Sequence, residues 1–273
     1  MIKLSIICPT IRPKNLIKYY NSVEKSCKKF SYEIIFIGPY YIPTELLKTG
    51  KVRYIHSYSD PTTCFNMACE IARGEFVLNS TDDGLFLEDS IDWAINLTSQ
   101  IGERDLINFV YREGALDDES LEMLPIEKQA FQPAAYWKAG FHGPLRLVGI
   151  DPNWDLALHF LIRRDYLEEL GYLDTRFSYI NMNLHILSFT AQKLGSKIYH
   201  LPQPGFECSH LQGNSKDHFA IDSAAQEEMP IFNDLFSKDY NPIKLERDSW
   251  KNKEPIWGKR FDKNNLITEP PQY

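Results

Sequence analysis

Short unbroken apolar runs along the chain are separated by stretches in which apolar residues recur every third or fourth position. Residues 3–10, KLSIICPT, form a near-continuous apolar run ending at Pro9-Thr10, the pattern of a strand buried on both faces. Over residues 13–27, Leu16, Tyr20 and Val23 stand four and three apart, which predicts an amphipathic helix. YEIIFIGP (32–39) and VRYIHS (52–57) predict a second and a third strand. Residues 61–76 read as a helix with Thr62 or Thr63 as N-cap and Gly74 as its stop. FVLNS (76–80) reads as a fourth strand and residues 87–101 as a further helix. This alternation is the rhythm of an α/β layered sheet.

After an expected strand at 105–113 the rhythm stops for about forty residues rich in Pro, Gly and aromatics. Structureless loops of that length are commonly functional. Its Tyr136, Trp137 and Trp154 suit either a sugar-stacking platform or packing of the loop itself. Order resumes with a strand and helix over 156–177, then a helix and strand over 183–202, that helix being stopped by Gly195. No repeat or linker divides the chain, so a single domain over 1–240 with an extended tail at 241–273 is the simplest organisation.

Composition narrows the picture. With 43% hydrophobic and 25% charged residues the 273-residue chain has an ordinary globular profile, and its net charge of -7 argues against a nucleic-acid partner. The five cysteines, Cys8, Cys27, Cys64, Cys69 and Cys208, include no C-x-x-C pair. Reduced thiols and a cytoplasmic location are therefore expected rather than a disulfide framework or a structural zinc site. No apolar run reaches the ~18 residues of a membrane span, so no transmembrane segment is expected.

The candidate chemistry collects at one edge. In open α/β sheets ligands bind beyond the carboxyl ends of the strands, where this chain places Pro9-Thr10, Gly38-Pro39-Tyr40 and Asp82-Asp83. Adjacent carboxylates repel unless something compensates them. A hard divalent cation bound through oxygen would do so, and would also neutralise a diphosphate. The alternative is a turn in which Asp82 caps a helix starting near Leu85. A phosphate-binding loop of the pyrophosphorylase type is disfavoured because CPTIRPKN contains no glycine, and a dinucleotide oxidoreductase because G-x-G-x-x-G is absent.

KLSIICPTIRP, NMACEIARGEFVLNSTDD and LGYLDTRF together resemble the GT-A glycosyltransferases of family 2. The resemblance is strongest over the first ninety residues and extends to about residue 215. Asn66, Ala72 and Gly74-Glu75 match the family's helix motif, and the spacing on to Asp82 fits without gaps; Phe65 and Ala68 depart from it. The resemblance implies a GT-A, Rossmann-like mixed sheet with helices on both faces. It also implies transfer of a sugar from a UDP-, GDP- or dTDP-linked donor to a glycan or other hydroxyl acceptor. Pro9, Thr10 and Asn66 would then serve the nucleotide site. Asp82 and Asp83 would hold Mn²⁺ or Mg²⁺ together with His210, the residue matching the His of the family's His-x-x-Gly-x-Ser segment. Ser215 with Lys216 would touch the diphosphate. Outside the resemblance, Arg12 or Lys216 would add a second positive contact there.

Three departures follow from the same comparison. Ser80 stands where the family has its first acid. Gly38 stands where the family carries an Asp for the base or ribose, which leaves Tyr40 to stack on the ring. The Glu-Asp-x-Asp segment that supplies the base for the acceptor hydroxyl is replaced by SYINMNLHIL. Asn181, Met182, Asn183 and Leu184 cannot take a proton. The base then comes from Asp151 or Asp155 in GIDPNWD or from His185, or the reaction proceeds with retention, or the protein binds a nucleotide sugar or glycan without transferring it.

Overall fold

The computed structural model of the chain describes residues 2–117, 120–125, 128, 155–209 and 226–232. Its centre is a seven-stranded mixed sheet with strand order β3-β2-β1-β4-β8-β6-β9. β1 (Leu4–Pro9), β2 (Tyr32–Gly38), β3 (Val52–His56) and β4 (Phe76–Asn79) are parallel neighbours, the consequence of a helical crossover after each of the first three. β8 (Phe160–Arg163) runs antiparallel between β4 and β6 (Leu106–Asn108), and β9 (Ile198–His200) closes the far edge parallel to β6. A second sheet joins β5 (Gly84–Phe86), β10 (Phe206–Cys208) and β7 (Tyr111–Glu113) in that spatial order.

Alternation along the buried strands explains the layers. Leu4, Ile6 and Cys8 of β1, with Phe36 and Leu78, face a core built with α1 (Leu16–Ser26) and α4 (Ser90–Leu97) through Leu16, Tyr19, Val23, Ile91 and Ala94. Ile7, Ile35, Val77 and Ile162 face the opposite core, built with α3 (Pro61–Ile71), α5 (Arg164–Leu170) and α6 (Ile180–Lys193) through Phe65, Ala68, Leu167, Leu184 and Leu187. Between β2 and β3 lies one short helix, α2 (Thr44–Lys48). All five cysteines are buried free thiols. No helix among the described residues is long and apolar enough to cross a membrane.

Several local expectations are corrected. The N-cap of α3 is Asp60, whose Oδ1 accepts the Thr63 amide at 3.0 Å, because Pro61 moves the first helical residue ahead of both threonines. α3 stops at Ile71; Gly74 is needed instead for close approach, since a Cβ there would lie 2.4 Å from the Ser5 nitrogen. The stretch 105–113 is two strands in different sheets, β6 and β7. α6 starts at Ile180, earlier than the apolar period suggests. The tail at 241–273, and with it the domain division, lies outside the described residues, as do Tyr136, Trp137 and Trp154 of the aromatic loop.

At the opposite end of the sheet from the candidate site, Glu33 locks the strand starts. Its carboxylate is 1% exposed and accepts Ser5 Oγ at 2.7 Å, Arg73 N at 2.7 Å, Arg73 Nε at 2.9 Å and Arg53 Nη1 at 3.2 Å. Burial alone would raise this carboxyl, but the bonds from Arg73, Ser5 and Arg53 outweigh it and hold it below its ordinary value. A depressed native value stabilises the fold above the unfolded carboxyl's ordinary pKa, near about 4.3, and that contribution is lost as the pH falls through the native value. The free energy of unfolding in urea is therefore expected to fall on acidification below about pH 4.3. Glu33→Gln is expected to lower stability at neutral pH by about 1–3 kcal/mol and to flatten that acid dependence. An equally steep acid dependence in the variant would assign it to other carboxylates.

Candidate functional site at the carboxyl edge

β1 and β4 are neighbours, so the turns that follow them face each other across one strand spacing. Asp82 joins them. Its Oδ2 accepts Thr10 Oγ1, Ile11 N and Arg12 N, each at 2.8 Å, and its Oδ1 accepts Arg12 Nη1 at 2.7 Å. Asn15 Nδ2 donates to the Asp82 carbonyl at 3.3 Å. With Asp82 only 3% exposed, these donors replace the water its charge has lost. Asp82 does not cap a helix near Leu85, because residues 84–86 form β5 and α4 begins at Ser90.

The layer beneath is apolar with one polar link. Ser80 is fully buried and its Oγ accepts the Tyr19 phenol at 2.7 Å. An acid at this position would be ionised inside the core against Tyr19 and Cys8, so the serine fits where a carboxylate would be strongly disfavoured. Burial pushes the Cys8 thiol well up, and Asp82 and Asp83 above it push it further. Asp83 is 8% exposed, and its carbonyl accepts the Ser209 amide at 2.9 Å. That bond brings the end of β10 against the acidic pair. The next residue, His210, lies outside the described residues, as do Asp151, Ser215 and Lys216.

Gly38 and Pro9-Thr10 belong to the same edge. Thr10 N donates to the Ile37 carbonyl at 2.8 Å, and a Cβ at residue 38 would sit 1.9 Å from the Thr10 carbonyl oxygen. Any side chain here, an Asp included, would therefore displace the end of β1. Tyr40 is 5% exposed, with its carbonyl fixed by the Tyr54 hydroxyl at 2.8 Å; its ring is packed rather than presented. The exposed ring is its neighbour. Tyr41, 63% exposed, stacks on His56 with centroids 5.2 Å apart, and His56 meets Tyr58 edge-on at 5.1 Å. Sequence reasoning passed over Tyr41; the Tyr40-Tyr41 doublet was its only signal.

The remaining candidates are placed elsewhere. Asn66 is fully engaged by one backbone position: its Nδ2 donates to the Leu173 carbonyl at 2.9 Å and its Oδ1 accepts the Leu173 amide at 3.0 Å. It stitches α3 to the turn after α5, where Gly171 and Tyr172 both have positive φ. His185 is 1% exposed on α6, with Phe232 edge-on at 6.1 Å. Asp155 lies by the edge strand β9, with Oδ1 3.2 Å from His200 Nε2 and its backbone bracketed by the Gln192 amide. Asn183 ties α6 to α3, donating to Thr62 Oγ1 and to the Phe177 carbonyl, both at 2.9 Å.

Among the described residues no three His, Cys, Asp or Glu side chains gather as a metal site. Asp82 and Asp83 are hard oxygen donors of the type Mg²⁺ and Mn²⁺ take. In this geometry, however, Arg12 occupies the Asp82 Oδ1 position, so a cation there would share or displace the guanidinium.

No protein-family model and no curated protein matches the chain. Solved structures do. S. aureus TarS 1-349 in complex with UDP superposes with a TM-score of 0.53 at 14% identity, over 88% of this chain and 70% of that one. A longer S. aureus TarS structure gives 0.54 at 15% identity, over 96% of this chain and 44% of that one, so the chain spans less than half of its length. This likeness shows the fold, which is the GT-A glycosyltransferase fold.

Removing Asp82 would strand the amides of residues 11 and 12 and the Arg12 charge together. Asp82→Ala is expected to lower the unfolding free energy by about 3–5 kcal/mol. Arg12→Ala, which leaves the three Oδ2 bonds, is expected to cost about 1–3 kcal/mol. Equal and small losses in urea unfolding would show that Asp82 does not fasten the loop.

Proposed function

We propose that the chain is a glycosyltransferase that moves a sugar from a nucleoside-diphosphate donor to a hydroxyl acceptor. In this reading Asp83, Asp82 and His210 hold a divalent cation, Mn²⁺ or Mg²⁺, with Arg12, Ser215 and Lys216 against the diphosphate. The observation that carries the reading is convergence. The Asp82 bonds to residues 10–12 and the Ser209–Asp83 bond bring the ends of β1, β4 and β10 to one point on the carboxyl edge of a GT-A sheet. UDP is the first nucleotide to test, because one of the similar solved structures is a UDP complex.

A divalent cation bound there would offset the negative charge developing on the departing diphosphate. The chain's own groups perform the rest. The amides of residues 11 and 12 fix the loop, Arg12 supplies a positive charge 2.7 Å from Asp82 and next to the diphosphate position, and Gly38 leaves room for the end of β1. A second reading, a non-catalytic nucleotide-sugar or glycan binder, is favoured by one observation: the first turn of α6, Ile180 to Asn183, contains no acid.

Thermal unfolding of the full chain with UDP, GDP, CDP and dTDP, each with and without Mn²⁺, tests the donor site. A nucleotide at a hundredfold excess over its Kd adds about 2.7 kcal/mol, a rise of roughly 5–10 °C for a chain of this size. One nucleotide is expected to give this rise only with Mn²⁺, and Asp83→Asn is expected to abolish it. An absence of any rise with all four would remove the metal–diphosphate reading. A rise that ignores Mn²⁺ and Asp83 would leave Arg12 as the diphosphate's counter-charge.

A further inference from the structure

α6 begins against a carboxylate from a distant part of the chain. The Ser178 amide donates to Glu228 Oε1 at 2.7 Å and the Tyr179 amide to Glu228 Oε2 at 3.1 Å, immediately ahead of Ile180, the first residue of the helix. Amides at a helix start lack intrahelical partners and favour an anion. The two bonds fix the orientation of the carboxylate.

Its carrier is firmly seated. Residues 226–232 form a short helical turn anchored by Phe232, which is fully buried, with its ring edge-on to Phe177 at 5.9 Å and to His185 at 6.1 Å. The top of α6 is fixed in turn to the first turn of α3 by the Asn183 bond to Thr62 Oγ1. α3 starts just after β3 leaves the sheet's carboxyl edge. Both helices pack on the face formed by Ile7 and Val77, which belong to the two strands leading to Thr10 and Asp82. Glu228 is half-buried, and through the starts of α6 and α3 it lies toward the carboxyl edge of the sheet, the edge that carries the acidic pair.

We propose that Glu228 is the general base that takes the proton of the acceptor hydroxyl; this rests on the glycosyltransferase reading above. The acceptor oxygen forms its bond to the anomeric carbon while the bond from that carbon to the β-phosphate oxygen breaks. The hydroxyl proton passes to a Glu228 carboxylate oxygen, and the bonding electron pair leaves with the nucleoside diphosphate. The anomeric centre inverts, and the Glu228 acid returns its proton to water before the next cycle. No side chain in the first turn of α6, Ile180, Asn181, Met182 or Asn183, can accept that proton.

The test measures nucleoside diphosphate released from UDP-, GDP- and dTDP-linked hexoses by the full chain, for wild type, Glu228→Gln and Glu228→Ala. Glu228→Gln keeps an oxygen for the Ser178 amide, so the Mn²⁺-dependent thermal shift and the donor KM are expected to stay within about twofold while kcat falls by about 10²–10⁴. Azide attacks without losing a proton, so it is expected to restore release by Glu228→Ala as glycosyl azide. Wild-type turnover retained by Glu228→Gln would overturn the role of Glu228 and leave the transferase reading standing. So would a loss of turnover that azide does not relieve and that comes with a lost nucleotide shift, since Glu228 would then act as a cap alone. No release by wild type from any donor would sink the transferase reading itself, and Glu228's role with it.

Discussion

The carboxylate of Asp82 is the joint on which the functional edge depends. Two adjacent acids at the end of a buried strand repel each other and lose hydration, and the fold answers the first of them with donors. The hydroxyl of Thr10, the amides of residues 11 and 12 and the Arg12 guanidinium all point at Asp82. Charge-assisted bonds of this kind are the strong ones, and they hold backbone as well as side chain. Around that joint the other constraints fall into place: residue 38 must be glycine because the Thr10 carbonyl leaves no room, and Ser80 must be neutral because it is sealed beneath with Tyr19. Asp83 is tied through its carbonyl to Ser209, just past the end of β10.

Much of the fold was legible in the sequence because buried parallel strands and amphipathic helices write strong periods. β1 to β4, α1 and α3 all lie where the apolar pattern puts them. Four short elements were not: β5, β10 and α2 left no run of their own in the sequence, and β7 was merged with β6 into one expected strand. Caps misled for a specific reason. Thr62 and Thr63 are good cap residues, but Pro61 fits the first helical position and passes the cap to Asp60. Among site residues, Pro9, Thr10, Gly38, Asp82 and Asp83 could be grouped from strand ends alone. Asn66 looked like a ligand residue, whereas its amide serves the Leu173 backbone; a single sequence cannot distinguish those uses, because the partner lies over a hundred residues away.

Glu228 was hidden for the same reason. Nothing local marks it: it follows another glutamate, Glu227, in a short segment, and its partners Ser178 and Tyr179 are about fifty residues upstream. The sequence shows only that α6 starts without an acid. The fold shows a carboxylate delivered there from another element, and in the proposal above that carboxylate supplies the base. The departures at Ser80, Gly38 and the start of α6 each then have a local physical reason, a buried phenol, a crowded carbonyl and a capped helix.

The central claim is that a nucleoside diphosphate and a divalent cation meet at the joint of β1, β4 and β10. A crystal structure of the full chain with UDP and Mn²⁺, with anomalous scattering to locate manganese, tests it most directly. The account predicts manganese on Asp83 with the diphosphate between it and Arg12, the base lying toward the end of β2. Manganese absent from the acidic pair, with UDP bound away from residues 10–12, would contradict it.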